Sequence, residues 1–431
     1  MNIIVVSPYS PKWSNIASIR WEKISKYVSL KHDVTIITSK FKEENYTIRD
    51  FDIGNSKLVE IPLKLSINNS YLNKTKNKKY LRTNTFFQKF LKSLKNELRI
   101  ILEKYLPISP GGALLHDYKG YLQEISKVLK NEEINVLITT YNPWFSLKIG
   151  EFFKKKYSKK VFWIADFRDT SFDLDESLIS RLPIVRRFTK KILKNADLIM
   201  VVSEGLVEKY RNITDKEIFY LPNGFDKTID SENKILKKKK NFLSIVYTGS
   251  LRPKFREISP FLKALRIAKN KEPNLDIEFK YAGFNSSILQ KEALKEKVNN
   301  IIKDYGFLKR NKALELQEKS DVLLLIVYTG SRESGKSIRT GKVYEYLSTT
   351  KPVLAIAPNN WEMKDEVEAD GISKVFNKNQ VYDIAEYLIS LARKENLNIR
   401  IDQRYNIIKK YHYKSLAEKL EQKLLEKLNI D

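Results

Sequence analysis

The chain of 431 residues has no cysteine and only three histidines. Without cysteine there is no disulfide framework, no thiolate metal site and no thiol nucleophile. With so few imidazoles as well, a transition-metal site is not expected. No apolar stretch reaches the roughly 20 residues that a membrane-spanning helix needs. The opening residues "MNIIVVSPYS" have no basic leader and too short an apolar run for a secretion signal. The expected location is therefore the cytoplasm. Negative charge is also scarce: 52 Asp and Glu face 79 Lys and Arg, for a formal net charge of +27. Such a field attracts polyanions, whether nucleic acid, anionic lipid or a phosphorylated substrate. Lysine-heavy solvated faces are the plainer reading of the same excess.

What is present is an ordinary globular composition, 42% hydrophobic and 30% charged, in a chain long enough for more than one domain. Short apolar runs alternate with helical patterns. "NIIVVS" (2–7) stops at Pro8, a helical pattern covers 16–30, and "HDVTIIT" (32–38) follows, the βαβ opening of a doubly wound sheet. Further strands are expected at 136–140, 161–167 and 196–203, with 218–226 closing the first half. The polar stretch 228–240 lacks periodicity and reads as a linker between a first domain, 1–227, and a second, 241–400. The pattern restarts with strands at 242–250, 275–283, 321–327 and 351–357. Two such halves are expected to face a central cleft, since these sheets bind ligands beyond the carboxyl ends of their strands. A final amphipathic helix lies within 401–431.

One segment differs. Leu91, Leu94, Leu98, Ile101 and Tyr105 fall at helical spacing behind Phe86, Phe87 and Phe90, with Lys89, Lys92, Lys95, Arg99 and Lys104 beside them. A basic amphipathic helix of this kind, within about 71–106, suits an anionic membrane surface. It equally suits packing on its own domain.

Three loops in the second half carry chemistry. In "YTGSLRPKFREI", Gly249 ends a strand and lets backbone approach a ligand. Arg252, Lys254 and Arg256 then offer cations that suit a diphosphate. Alone, this is also a solvated basic loop. In "DYGFLKR", the backbone of Phe307 and Leu308 after Gly306 can read a nucleobase edge, although an ordinary strand-to-helix turn explains it as well. In "TGKVYEYL", Thr340 is placed to cap a helix that begins at Gly341. Lys342 and the free N–H groups there suit an anion. Glu345, one turn inward, can accept from two vicinal hydroxyls, and a ribose bearing a diphosphate supplies both partners. A first-turn Glu favoured by the helix dipole is the simpler alternative.

Taken together and in this order, these features resemble the retaining glycosyltransferases of family 4, with the GT-B fold, over nearly the whole chain. "GKVYEYLSTTKPVLAI" is the most specific part; "DLIMVVSEGLVEKY…IFYLPNGFD", "YTGSL" and "VFWIADFRDTSFD" also match, the last being similar to members that build surface polysaccharides. The resemblance implies transfer of a sugar from a nucleotide diphosphate sugar, a UDP-sugar being the expected donor, to a saccharide or lipid-linked acceptor. No metal or other cofactor and no nucleic acid partner is implied. It gives Glu345 the ribose hydroxyls, and Arg252, Arg256 and Lys342 the leaving diphosphate. Gly249, Ser250, Thr340, Gly341 and Ser337 line the donor, Phe307 and Leu308 the base. Asp166 and Asp169 become catalytic candidates of the first domain, with Arg168 and Arg20 as substrate contacts there. The last helix crosses back to the first domain.

Two departures stand out. The family's first Glu, eight positions before the second, is Ser337 here, and Glu333 is out of register. "PYSPKWSN" replaces the usual paired glycines of the first loop. Asp173 and Asp175 form a DxD that is read as coincidence in this architecture. Other enzymes of the same fold, such as a nucleotide-sugar epimerase, a catalytically silent protein and a basic nucleic-acid binder are the alternatives.

Overall fold

Five residues, Asn2–Val6, are buried without interruption, and so are all seven of Asn135–Tyr141. Strands covered on both faces carry such runs because neither face meets water. The structure, a computed structural model, describes residues 1–13, 16–40, 49–63, 117–131, 133–169, 181–227, 234–237, 241–330, 333–394 and 396–430. The amphipathic segment 86–106, and Asp173 with Asp175, lie outside them.

The chain divides into two units, Met1–Pro222 with Leu416–Asp431, and Asn223–Ser415. In the first, the elements run β1 (Asn2–Val6), α1 (Ile16–Val28), β2 (Asp33–Lys40), β3 (Lys57–Pro62), α2 (Tyr118–Val128), β4 (Asn135–Tyr141), α3 (Trp144–Lys156), β5 (Val161–Phe167), α4 (Pro183–Leu193), β6 (Leu198–Val201), α5 (Glu204–Arg211) and β7 (Ile218–Tyr220). Among the described residues the strands form one parallel sheet in the order β3-β2-β1-β4-β5-β6-β7. The order reverses between β1 and β4, the switch point of a doubly wound fold.

The second unit runs β8 (Lys234–Lys237), β9 (Phe242–Thr248), α6 (Ser259–Lys271), β10 (Asp276–Ala282), α7 (Ser286–Lys295), β11 (Ile302–Asp304), α8 (Arg310–Glu318), β12 (Val322–Ile326), α9 (Gly341–Leu347), β13 (Val353–Ile356), α10 (Lys364–Glu368), β14 (Lys374–Phe376), α11 (Val381–Arg393), β15 (Asn396–Ile399) and α12 (Ile401–Ile408). Its parallel sheet has the order β11-β10-β9-β12-β13-β14, so the switch point falls between β9 and β12. The last helix, α13 (Tyr413–Leu428), carries the chain back, Leu416 onward grouping with the first unit. There Glu421 takes Lys31 at 2.9 Å and His32 at 3.0 Å, and Lys423 takes Glu217 at 2.6 Å.

Two boundaries differ from the sequence reading. The stretch expected as a linker, 228–240, contains β8, which pairs antiparallel with β15. The C-terminal region 401–431 is two helices rather than one. Phe225 bridges His412: its N–H donates to the Tyr411 carbonyl at 3.2 Å and its carbonyl accepts from Tyr413 N–H at 2.9 Å. Those strand-like bonds hold His412 in extended backbone (φ −65°, ψ 135°) and interrupt the helical ladder.

Candidate functional site

The switch point of the second unit gathers the residues singled out in its loops. Gly249 leaves β9 with a φ of 151°, in the range that favours glycine. Its N–H bonds the Ala282 carbonyl at 2.7 Å. A Cβ there would stand 2.1 Å from Nζ of Lys342 and one on Gly283 would stand 1.8 Å from the Gly249 carbonyl oxygen. Both glycines are needed for the backbones and the lysine to approach this closely. Lys342 Nζ also lies 5.7 Å from the centre of the Tyr247 ring, a cation–π contact.

Burial, reinforced by the nearby Arg256 charge and partly offset by Glu345, pushes the Lys342 ammonium down to about 8. The Tyr247 phenol is pushed up to about 12 by burial, against the opposing pull of Arg256 and Arg252. Lys342 thus lies against Tyr247, and the charges of Arg256 and Arg252 are felt by the same phenol. The two arginines sit on a tight turn: Arg252 N–H donates to the Arg256 carbonyl at 3.2 Å, and Arg256 N–H returns to the Arg252 carbonyl at 2.7 Å. Lys254 sits in the left-handed region at φ 68°, and the Ser250 carbonyl accepts from the Tyr247 hydroxyl at 3.3 Å.

Glu345 lies one helical turn beyond Lys342 on α9. Its carboxylate is engaged, one oxygen accepting from Arg310 at 2.7 Å and the other from Gln317 Nε2 at 3.0 Å. Gln317 also donates to Thr248 Oγ1 at 2.9 Å, which meets the Tyr346 hydroxyl at 3.1 Å. Arg310 and Gln317 are seven apart on α8, hence on one face. Reading the loops alone does not find them; that spacing is the signal that could have.

The cap expected from Thr340 does not form. Val343 N–H, the donor that a capping hydroxyl takes, bonds the Thr340 carbonyl instead at 3.1 Å, and Thr340 Oγ1 is buried without a hydrogen bond. Gly341 opens α9, and Ser337 is half-buried in a short 3₁₀ turn, Glu333–Ser337. At the ends of β10 and β11, Phe284 and Phe307 are both exposed and stack at 4.6 Å between ring centres. Leu308 beside them is half-buried. Phe284 is a second member that the sequence reading missed.

The first unit corrects two assignments. Asp166 and Arg20 are both fully buried. One Asp166 oxygen takes Arg20 at 3.3 Å, and the other accepts from Trp21 Nε1 at 2.9 Å and Thr140 Oγ1 at 2.5 Å. Arg20 also donates to the carbonyls of Pro222 at 2.6 Å and Leu221 at 2.8 Å. An internal ion pair with its oxygens taken is an anchor for α1, β4 and β5. Asp166 is not exposed to act as a base, nor Arg20 to touch a substrate. Asp169, by contrast, is exposed just past β5, and the Arg168 guanidinium lies 5.2 Å over the Tyr9 ring.

Gly249→Ala is expected to lower affinity for a diphosphate about tenfold, because a positive φ and the Lys342 ammonium both oppose a Cβ. Such backbone strain costs roughly 1–3 kcal/mol. Pyrophosphate titration of the variant checks it, and unchanged affinity would separate Lys342 from the anion.

No family model matches the chain, and no curated protein matches it in sequence. Solved structures do. Sucrose-phosphate synthase from Thermosynechococcus elongatus superposes with a TM-score of 0.59 at 10% identity, covering 100% of both chains. The apo lipopolysaccharide outer core galactosyltransferase WaaB gives 0.58 at 13%, over 99% of this chain and 100% of its own. An S. aureus TarM variant in complex with fondaparinux, alpha-GlcNAc-glycerol and UDP gives 0.57 at 11%, over 98% and 99%. With two parallel α/β units and whole-chain matches of this kind, the chain has the GT-B fold.

Among the described residues no helix is long and apolar enough to cross a membrane. Among them, too, no group of three or more acidic or histidine side chains is arranged to hold a metal ion.

Proposed function

We propose that the protein is a glycosyltransferase that takes its sugar from a nucleotide diphosphate donor, with UDP as the expected nucleotide. The observation that carries this is Lys342 packed against Gly249 and Tyr247 at the carboxyl end of β9, with the Arg252–Arg256 turn in the loop that leaves that strand and Glu345 one turn along the same helix as Lys342. Three cations suit a diphosphate, and a carboxylate one turn away suits the ribose attached to it. The UDP in the similar TarM complex adds support.

In this reading the cations stabilise the charge that grows on the leaving diphosphate, the role that preorganised electrostatics fills in many enzymes. They can do so without a metal. Backbone at Phe307 and Leu308 contacts the base, and the exposed Phe284–Phe307 pair offers it a stacking face. Gly249, Ser250, Gly341 and Ser337 border the donor. The acceptor is assigned to the first unit, where the exposed Asp169 stands ready. The bond from the anomeric carbon to the diphosphate breaks, the acceptor oxygen takes that carbon, and the acceptor proton passes to Asp169 or to a leaving phosphate oxygen. Retention at the anomeric carbon, a saccharide or lipid-linked acceptor and work in surface-polysaccharide assembly rest on the family 4 resemblance, and a place at the cytoplasmic membrane face rests on the basic amphipathic sequence pattern at 86–106.

Lys342 makes the reading pH-sensitive. Its ammonium is charged below about 8 and neutral above it. An anion favours the charged form, so UDP affinity should fall as pH rises from 7 to 9, and Lys342→Met should flatten the profile. Folding stability moves oppositely. Between about 8 and the ordinary 10.5 the unfolded chain holds a proton that the folded one releases, so this group alone raises stability with pH there.

The functional test is a thermal-shift panel of nucleotide-sugars, followed by transfer from the best of them to saccharide acceptors. Stabilisation by UDP-sugars and acceptor-dependent UDP release are expected. Conversion of the nucleotide-sugar without an acceptor would point to epimerisation and overturn the transfer reading.

A further inference from the structure

The stretch 181–196 of the first unit, "RLPIVRRFTKKILKNA", has six Lys and Arg and no Asp or Glu. It contains α4. Val185, Ile192 and Leu193 on one side of that helix belong to the core of the unit, with Thr189 buried beside them. Ile184, Arg187, Lys190, Lys191 and Lys194 recur at three- and four-residue steps on the other side, and all are exposed. Leu182, just ahead of the helix, is 46% exposed, and Ile184 is 45% exposed. An apolar pair thus stands at one end of a stripe of four cations.

Among the described residues, the side chains of Arg187, Lys190, Lys191 and Lys194 make no hydrogen bond and no ion pair. Asp197 and Glu151, next to the end of α4, are already engaged. Asp197 takes Lys154 at 2.7 Å and accepts from Trp163 N–H at 2.8 Å. Glu151 on α3 takes Lys155 at 2.8 Å and accepts from Asn195 Nδ2 at 3.2 Å. The charge of the stripe is therefore open to a partner.

Four unpaired cations on one face attract a polyanion. Exposed Leu and Ile at the end of the same stripe gain nothing from a phosphate backbone, but they gain by entering the apolar boundary of a lipid leaflet. The pair of features therefore favours lipid over nucleic acid. We propose that this face of α4 rests on an anionic phospholipid surface. Leu182 and Ile184 enter the headgroup boundary, and Arg187, Lys190, Lys191 and Lys194 meet the lipid phosphates. Each such cation strengthens binding to an anionic leaflet about fivefold. The inference names a membrane-facing surface among the described residues, and it rests neither on the nucleotide site nor on the sequence pattern at 86–106.

The test is co-sedimentation of the intact protein with phosphatidylcholine vesicles, with and without phosphatidylglycerol. Two variants carry it: Lys190→Glu with Lys191→Glu and Lys194→Glu, and Leu182→Ser with Ile184→Ser, each checked for folding by its thermal midpoint. A control, Lys291→Glu with Lys295→Glu and Lys297→Glu, makes the same charge change on exposed lysines of the second unit. The wild type should bind only the vesicles that hold phosphatidylglycerol. The α4 charge variant should lose about tenfold or more in affinity, the control much less and the apolar variant severalfold, with UDP affinity unchanged in all three. Equal binding to the two kinds of vesicle, or equal losses in the charge variant and the control, overturns the proposal. So does a charge variant that keeps its vesicle binding; if it loses binding to a single-stranded oligonucleotide instead, the stripe belongs to nucleic acid. Failure of UDP to bind the wild type, with vesicle binding intact, strikes the nucleotide reading alone.

Discussion

Glu345→Ala is expected to weaken UDP binding about 100-fold with little loss of stability. A hydrogen bond to a charged group contributes roughly 1.5–3 kcal/mol, and a ribose offers two hydroxyls to this carboxylate. Some of that gain is offset because Arg310 and Gln317 already hold the oxygens. A net loss near 2.8 kcal/mol corresponds to about 100-fold. The Glu345 side chain is 19% exposed and its Arg310 partner 39%, so truncation leaves no sealed cavity and no deeply buried lone charge. Glu345→Gln should fall between the two, since it keeps the shape and loses the charge. Calorimetric titration with UDP reads the effect, and wild-type affinity in Glu345→Ala would remove this residue from the nucleotide site.

Asp166→Ala should have the largest effect on stability. Removing one partner of a buried ion pair costs roughly 3–5 kcal/mol because the other charge stays inside unpaired. Here the Arg20 guanidinium would remain in the core, while Trp21 and Thr140 lose their shared acceptor. Asp166→Asn, which keeps two polar atoms in place, should cost less. Urea unfolding measures both. A catalytic base would give the opposite pattern, with turnover abolished and the unfolding midpoint unmoved. UDP affinity of the folded fraction is expected to be unchanged, since Asp166 belongs to the first unit.

The same contrast shows what the amino-acid order can reveal. Strands covered on both faces were legible. The runs at 2–7, 136–140, 161–167, 242–250, 321–327 and 351–357 all hold strands. β3 and β14 were not legible, because each is an edge strand with polar residues such as Lys57, Glu60 and Lys374 breaking the run. β8 hid in a lysine-rich stretch because its partner β15 lies far along the chain, at Asn396–Ile399.

In the site, local spacing carried Lys342, Glu345 and the Arg252–Arg256 turn. Contacts between distant residues were out of reach. Arg20 and Asp166 are 146 positions apart, and nothing near either one announces that they neutralise each other. Phe284 joins Phe307 only because β10 and β11 are neighbours in the sheet. The Thr340 cap failed for a local reason, a backbone carbonyl taking the N–H that the hydroxyl was expected to accept.

The central claim is that the second unit holds a nucleoside diphosphate by its phosphates and its ribose. The most direct measurement is a paired calorimetric titration of the intact protein with UDP and with uridine. If Arg252, Arg256 and Lys342 grip the diphosphate, UDP should bind at least 100-fold more tightly than uridine, and Lys342→Met should remove much of that margin. Equal affinities for the two, or a margin that survives in Lys342→Met combined with Arg256→Ala, would contradict it.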